Sequence, residues 1–337
     1  MKNLLPYRTF FDIIKKITLH LLERITLMYE KRRRKLGDRS DGYKVRGLDP
    51  YDYVSPYIMV ERNDASNYFS DKFETSQAEK YVKEKRDQGL KNFGIMHVIL
   101  AAYVRTVSQK PYLNRFLSGQ KIYARKDIQV NMAVKEEMTS SNTNTVIKVI
   151  FRPEDTAKDV FERFTNTYNE AFSGGENAFD GVARILNYVP GLIKKFVVWF
   201  LKMLDYFGLL PGGLTKVSPF HGSMFITSMG SLGIPPIYHH LYNFGNVPVF
   251  IAFGAKRHVC ELDLDGNPVR RKYIDYAIVT DERICDGFAY ASAFKIFRRY
   301  LANPWLLDNP PEEVFEDPDI DKKKKVKKKK EKKQKKE

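Results

Sequence analysis

The chain has 337 residues and only two cysteines, Cys260 and Cys285, so no disulfide framework can staple it. Neither cysteine stands in a metal-ligand spacing, and no metal is expected. Two lone thiols suit a reducing compartment, and the expected location is cytoplasmic. Glycine-rich phosphate loops and dinucleotide fingerprints are also missing. Uncharged runs are short: the longest in residues 190–210, Phe196–Leu201, is far below the ~20 residues that a membrane span needs. The N-terminal apolar run Phe10–Ile17 is broken by Asp12, Lys15 and Lys16 and has no small-residue cleavage site, which argues against a signal peptide. No internal repeat is visible.

What is present is enough for a packed core. Hydrophobic residues make up 43% and aromatics 13%. The formal charge of +16 suggests nucleic acid at first sight, but it is mostly local. Residues 322–337 hold twelve Lys and two Glu, a net of +10, which leaves +6 for residues 1–321. That run reads as a solvated tail, or as a tether to anionic lipid or acidic partners. Interleaved aromatics and a recognition motif are lacking, so specific nucleic-acid binding is not expected.

Residues 8–35 read as one amphipathic helix ending in Lys31-Arg-Arg-Arg-Lys35, suited to a partner subunit or to a membrane surface. Residues 36–56 are turn-rich and read as a surface arm. Helix patterns follow at 76–87, at 94–109 and from Asp155 to about Ala171. Residues 57–72 look extended, and strand alternation marks 120–135, 145–152, Ser223–Ser228 and Val247–Ala255. His258–Leu264 and Val269–Thr280 pair across Asp265-Gly266-Asn267-Pro268. Within about 176–215 lies a second amphipathic segment. Its charges beyond Pro190 (Lys194, Lys195, Lys202, Asp205) share one ~100° arc and leave a wide apolar face. The division expected is 1–56 helix and arm, 57–305 domain with this insertion, and 306–337 an acidic then Lys-rich disordered tail.

One stretch gathers the chemistry. Tyr276-Ala-Ile-Val-Thr-Asp-Glu-Arg-Ile-Cys-Asp-Gly-Phe288 runs from an apolar strand through a polar turn into a helix starting at Asp286-Gly287. A helix start offers free backbone N–H groups and a capping Asp, and Gly287 permits close backbone approach.

Four segments in order carry a family resemblance. They are Pro111-Tyr-Leu-Asn-Arg-Phe116 with Asp127-Ile-Gln-Val-Asn-Met-Ala-Val134, Phe225-Ile-Thr-Ser-Met-Gly-Ser-Leu-Gly233, Phe250-Ile-Ala-Phe-Gly-Ala255 and Thr280-Asp-Glu-Arg-Ile-Cys-Asp-Gly287. Together, over roughly 57–305, they resemble the acyltransferase cores of 2-oxo acid dehydrogenase complexes and the similar chloramphenicol acetyltransferases. The resemblance implies an α/β fold, a two-layer coenzyme-A-dependent acyltransferase domain with a mixed sheet. It also implies coenzyme A or acyl-coenzyme A as substrate, and a homotrimer with sites between subunits. Lipoyl-carrying and subunit-binding segments have no counterpart in this sequence. By position, Ser228 is the expected oxyanion donor with Thr227 beside it in the cofactor channel. Asp286 and Gly287 are the expected structural pair, with Asp286 held by an upstream Arg; Arg62 is the nearest candidate.

The family base, a His, is here Glu282. A free carboxylic acid (pKa ~4.3) lies about four units below a thiol (~8.5), about 5–6 kcal/mol of unfavourable proton transfer. Burial beside Asp281 would raise the Glu282 pKa and narrow that gap. The substitute base would be His239 or His240. Two functions therefore stand: an acyltransferase with an altered base, acceptor unknown, or a catalytically silent relative that binds an acyl or coenzyme A ligand or scaffolds. Peripheral contact with an anionic membrane is the expectation for the amphipathic and basic ends.

Overall fold

The computed structural model of the protein describes residues 32–134, 145–173 and 187–321. Of the helix expected at 8–35, residues 8–31 lie outside the described residues and residues 32–35 are not helical; the Lys-rich tail 322–337 also lies outside the described residues. Residues from Asp38 onward form one compact unit.

The apolar alternation read from the sequence becomes a six-stranded mixed sheet. Its strands are β2 (Ser66–Glu74), β5 (Ile128–Val134), β6 (Thr145–Phe151), β7 (Met224–Ser228), β8 (Val249–Leu262) and β9 (Pro268–Asp281). They lie in the order β2-β9-β8-β7-β5-β6. The β5–β7 and β7–β8 pairs are parallel, and the others are antiparallel. A second sheet of three short strands joins β1 (Gly42–Lys44), β4 (Lys121–Arg125) and β3 (Arg115–Ser118) in that order.

Side chains alternate across a strand, so each strand offers one set to each face. One face of the large sheet presents Val130, Val149, Met224, Ile226, Ile251 and Ile278, all buried, to the main core. Helices α2 (Ser76–Asp87), α3 (Ile95–Gln109), α4 (Ala157–Ser173) and α7 (Gly287–Ala302) contribute to that core from one layer. Helix α3 is buried from His97 to Ser108. Its sequence is apolar nearly all round, as a helix enclosed on every side must be. His97 takes part as an aromatic, stacked on Phe93, while its Nδ1 accepts the Gly94 N–H at 3.0 Å. Burial pushes its pKa down to about 4, so it sits neutral in the core. The opposite sheet face carries a smaller cluster of Leu241, Phe250 and Val279, with Phe225 packed on it.

This is the two-layer α/β arrangement with a mixed sheet that the family resemblance implies. Local differences have physical reasons. The start of the stretch expected to be extended is instead the end of helix α1 (Pro50–Ile58), opened by Pro50 at its first turn. Strands β4 and β5 divide the expected 120–135 run at Lys126-Asp127. Residues 306–321, expected in the disordered tail, instead pack on the domain. Phe315 N–H donates to the Ser108 carbonyl, Asp317 is buried against Arg115, and Ile320 is buried beside Val45.

Two motif glycines are explained by packing. A Cβ on Gly254 would stand 2.6 Å from Pro236 Cδ and 2.8 Å from its nitrogen, and one on Gly230 would meet the Gly254 carbonyl at 2.9 Å. The turn after β7 therefore closes directly onto the β8 backbone.

Candidate functional site

Strand β9 ends at Asp281, which is fully buried although it carries a carboxylate. A charge is kept inside only when it is paired and hydrogen-bonded. Arg283 grips it twice, Nε to Oδ1 and Nη2 to Oδ2, both at 2.8 Å. Arg62 Nε adds a third contact at 3.2 Å. The spare guanidinium hydrogens tie three segments together. Arg62 Nη1 donates to the carbonyls of Tyr242 and Gly245, and Arg283 Nη1 donates to those of Met59 and Val60. Burial lowers the Arg62 pKa, opposed chiefly by Asp281. One carboxylate thus fastens the end of β9, the chain before β2 and the loop before β8.

Glu282 follows directly. Its backbone N–H donates to the Ala65 carbonyl at 2.8 Å, while the residue as a whole is exposed. It opens onto a cavity of about 310 Å³ lined also by Asp52, Tyr112, Arg115, Cys285, Asp286 and Asp319. The cavity is acidic in effect. Arg283 is spent on Asp281, and Arg115 is spent on Asp317 and Asp319, with Nη2 at 2.7 and 2.8 Å from their oxygens. Asp52 reports the surplus: burial raises its pKa first, Asp49, Asp286 and Asp319 add to the rise, and Arg115 opposes it. The Cys285 thiol is pushed up to about 12 by burial, which keeps it protonated and unreactive at neutral pH.

Asp286 is exposed and caps α7, its Oδ1 accepting the Ala289 N–H at 2.7 Å. Arg62, the sequence candidate for its partner, pairs with Asp281 instead. A Cβ on Gly287 would meet nothing within 4 Å, so the close approach expected there is not made by this chain's described residues.

Thr227 and Ser228 close strand β7 and are half-buried. Ser228 lies level with Phe253, and Phe253 lies level with Tyr276. Tyr276 precedes Asp281 by five residues on one strand. At ~3.3 Å per residue and ~4.8 Å between strands, Ser228 and Asp281 are about 16 Å apart along the sheet and about 10 Å across it. One chain therefore does not bring Ser228 and Glu282 together. His239 stacks flat on Phe250 at 4.0 Å between ring centres, and its pKa is lowered, first by burial. His240 is exposed beside it, with the rings 4.7 Å apart.

A second polar centre has no sequence signature. Asp205 and His221 come within 3.6 Å (Oδ2 to Nε2). Arg39 Nη2 donates to Asp205 Oδ1 at 2.7 Å, and its Nη1 donates to the Ser118 hydroxyl at 2.8 Å. Burial works against the Asp205 charge, but His221 and Arg39 outweigh it and hold the carboxyl down at about 2. Burial lowers the His221 pKa, against the pull of Asp205. Ser118, Asp205 and His221 border a cavity of about 270 Å³ that Arg62 and Arg283 also line. The ion pair spans 166 residues of sequence from Arg39 to Asp205, which is why no spacing motif points to it.

Among the described residues no group of three or more His, Cys, Asp or Glu could hold a metal ion, and no helix is long and apolar enough to cross a membrane.

No protein-family model and no curated protein sequence matches this chain. Solved structures do. A probable dihydrolipoamide acetyltransferase from Listeria monocytogenes is similar at 13% identity and a TM-score of 0.47, covering 79% of this chain and 95% of its own. The dihydrolipoamide acetyltransferase of Azotobacter vinelandii is similar at 13% identity and 0.44, covering 76% and 88%. A chloramphenicol acetyltransferase is similar at 9% identity and 0.43, covering 74% and 94%.

Proposed function

We propose that this chain is a catalytically silent protein of the coenzyme-A-dependent acyltransferase type, acting as a trimeric subunit that binds an acyl or coenzyme A ligand or serves as a scaffold. The observation that carries the reading is the setting of Glu282. The carboxylate at the family's base position is exposed, in a corner where Asp52, Asp286 and Asp319 add negative charge. Acyl transfer to a thiol must draw off a proton and then stabilise a tetrahedral oxyanion. Surplus negative charge opposes the second step, since like charges disfavour a new anion.

The supporting frame is the set of motif segments. Apart from Pro111–Phe116, which leads into β3 of the small sheet, they occupy β5, β7, β8 and the β9–α7 corner, three adjacent strands of the large sheet and a fourth beside them. The register supports an assembly: Ser228 and Glu282 stand apart within one chain, so a shared site would draw them from neighbouring subunits of the proposed trimer. The two cysteines are unpaired, which fits a reducing compartment such as the cytoplasm.

Calorimetry with coenzyme A and acetyl-coenzyme A, alongside a transfer assay, tests the proposal. The expected result is binding without turnover. Measurable turnover that Glu282→Gln abolishes would refute silence, and no heat at millimolar ligand would remove the ligand-binding half. Light scattering should give a trimer, and a stable monomer at micromolar concentration would count against the shared site.

A further inference from the structure

Helix α5 (Gly191–Tyr206) is sixteen residues long, largely apolar, and has no buried residue. It is held to the domain through its C-terminal end, where Asp205 meets Arg39 and the Tyr206 hydroxyl donates to Gln120. At ~100° per residue, Val197, Leu201 and Leu204 turn toward the protein and are half-buried. Leu192, Phe196, Trp199, Phe200 and Met203 fall on the opposite side. Leu192 is 86% exposed, Phe196 59% and Trp199 55%. Soluble proteins seldom leave so continuous an apolar ridge uncovered.

Charge distinguishes the possible covers. Lys195 and Lys202 run along one border of the ridge, at the junction of its apolar and polar sides, and Lys216 is exposed just beyond the helix. The single acid in residues 187–217 is Asp205, which is turned inward on Arg39 and His221. The solvent side of this segment is therefore uniformly basic. A second copy docked symmetrically on the ridge would set these lysines against their own counterparts with no exposed acid between them, an arrangement that like-charge repulsion disfavours. An anionic bilayer surface complements both features: acyl chains take the Phe and Trp side chains, and phosphate and carboxylate head groups take the lysines. Tryptophan also favours the boundary between the two.

We infer that α5 is a lipid-docking helix that lies in the surface of an anionic membrane with Phe196 and Trp199 inserted. This goes beyond the proposed ligand binding and does not depend on it.

The test is co-sedimentation of the full chain with phosphatidylcholine vesicles made with and without phosphatidylserine. Wild type should prefer the anionic vesicles. Phe196→Glu/Trp199→Glu should weaken that binding at least about a hundredfold, since two large apolar side chains lose their burial. Lys195→Gln/Lys202→Gln should weaken it about thirtyfold and leave neutral vesicles little changed. Lipids brominated on the acyl chains should quench tryptophan fluorescence, and Trp199→Phe should remove that quenching. Both double variants replace exposed residues, so unchanged thermal midpoints verify folding. The inference is overturned if wild type ignores anionic vesicles, or if folded Phe196→Glu/Trp199→Glu binds as wild type does because other basic segments carry the attachment. It is also overturned if that variant dissociates the protein without lipid, because a second copy then covers the ridge.

Discussion

Replacing Asp281 by Asn should be the most destabilising polar substitution in this fold. The carboxylate is fully buried and answers two guanidinium groups, with Arg283 contacts of 2.8 Å and an Arg62 contact of 3.2 Å. Asparagine keeps the volume but removes the charge. Arg62 and Arg283, at 6% and 4% exposure, then remain inside with their charge uncompensated. Breaking a buried pair from one side costs about 3–5 kcal/mol. At ~2.1 cal/mol/K per residue for the unfolding entropy, a domain of this size should lose about 5–8 °C from its thermal midpoint. The assay is paired thermal and urea unfolding of wild type and Asp281→Asn. A loss below about 1 kcal/mol would refute the reasoning, because it would mean that the two arginines find water or other acceptors without Asp281.

Three further outcomes follow from the same geometry. Asp205→Asn should cost about 2 kcal/mol at pH 7, because Asp205 sits at about 2 in the fold against an ordinary value near 4. A depressed acid stabilises above its unfolded pKa, so the wild-type advantage should shrink as pH falls from about 4 to about 2 in acid titrations of stability; an advantage that grows there would contradict the pairing. Asp286→Ala should cost about 1 kcal/mol in urea unfolding by uncapping α7, and Asp286→Asn or Ser should restore most of it. An aromatic disulfide reagent at neutral pH should label exposed Cys260 quickly and half-buried Cys285 slowly, and two equally fast thiols would contradict the raised pKa of Cys285.

The fold was legible where the periodicity was long and the register local. Helix α3 announces itself because Ile95, Val98, Ile99 and Ala102 repeat at helical spacing, and the β8–β9 hairpin does so through Asp265-Gly266-Asn267-Pro268. Helix α1 was hidden because prolines stand at both ends of a short tyrosine-rich segment, and β1 because three residues carry no period. The packing of 306–321 was hidden for a different reason. Acidic residues beside a Lys run read as solvated, and only the fold shows that Arg115 needs Asp317 and Asp319. In the candidate site, motif order marked the corner and the change at Glu282. It could not show that Arg62 would meet Asp281, 219 residues away, while Asp286 was left to cap a helix. Nor could composition join Arg39, Asp205 and His221, because ion pairs between distant segments leave no spacing in a sequence.

The central claim is that the acyl-transfer chemistry is silent because a solvated carboxylate stands at Glu282 among other acids. Steady-state transfer from acetyl-coenzyme A to a panel of thiols and amines, run on wild type, Glu282→Gln and Glu282→His, measures it directly. The account predicts no transfer above the buffer rate for wild type and Glu282→Gln, and a detectable gain for Glu282→His where Ser228 of a neighbouring subunit remains in reach. Wild-type turnover on the order of ~10 per second, ordinary for an enzyme, would contradict it. If Glu282→Gln abolished that turnover, Glu282 would be a working base; if the turnover survived, the base would be sought at His239 or His240.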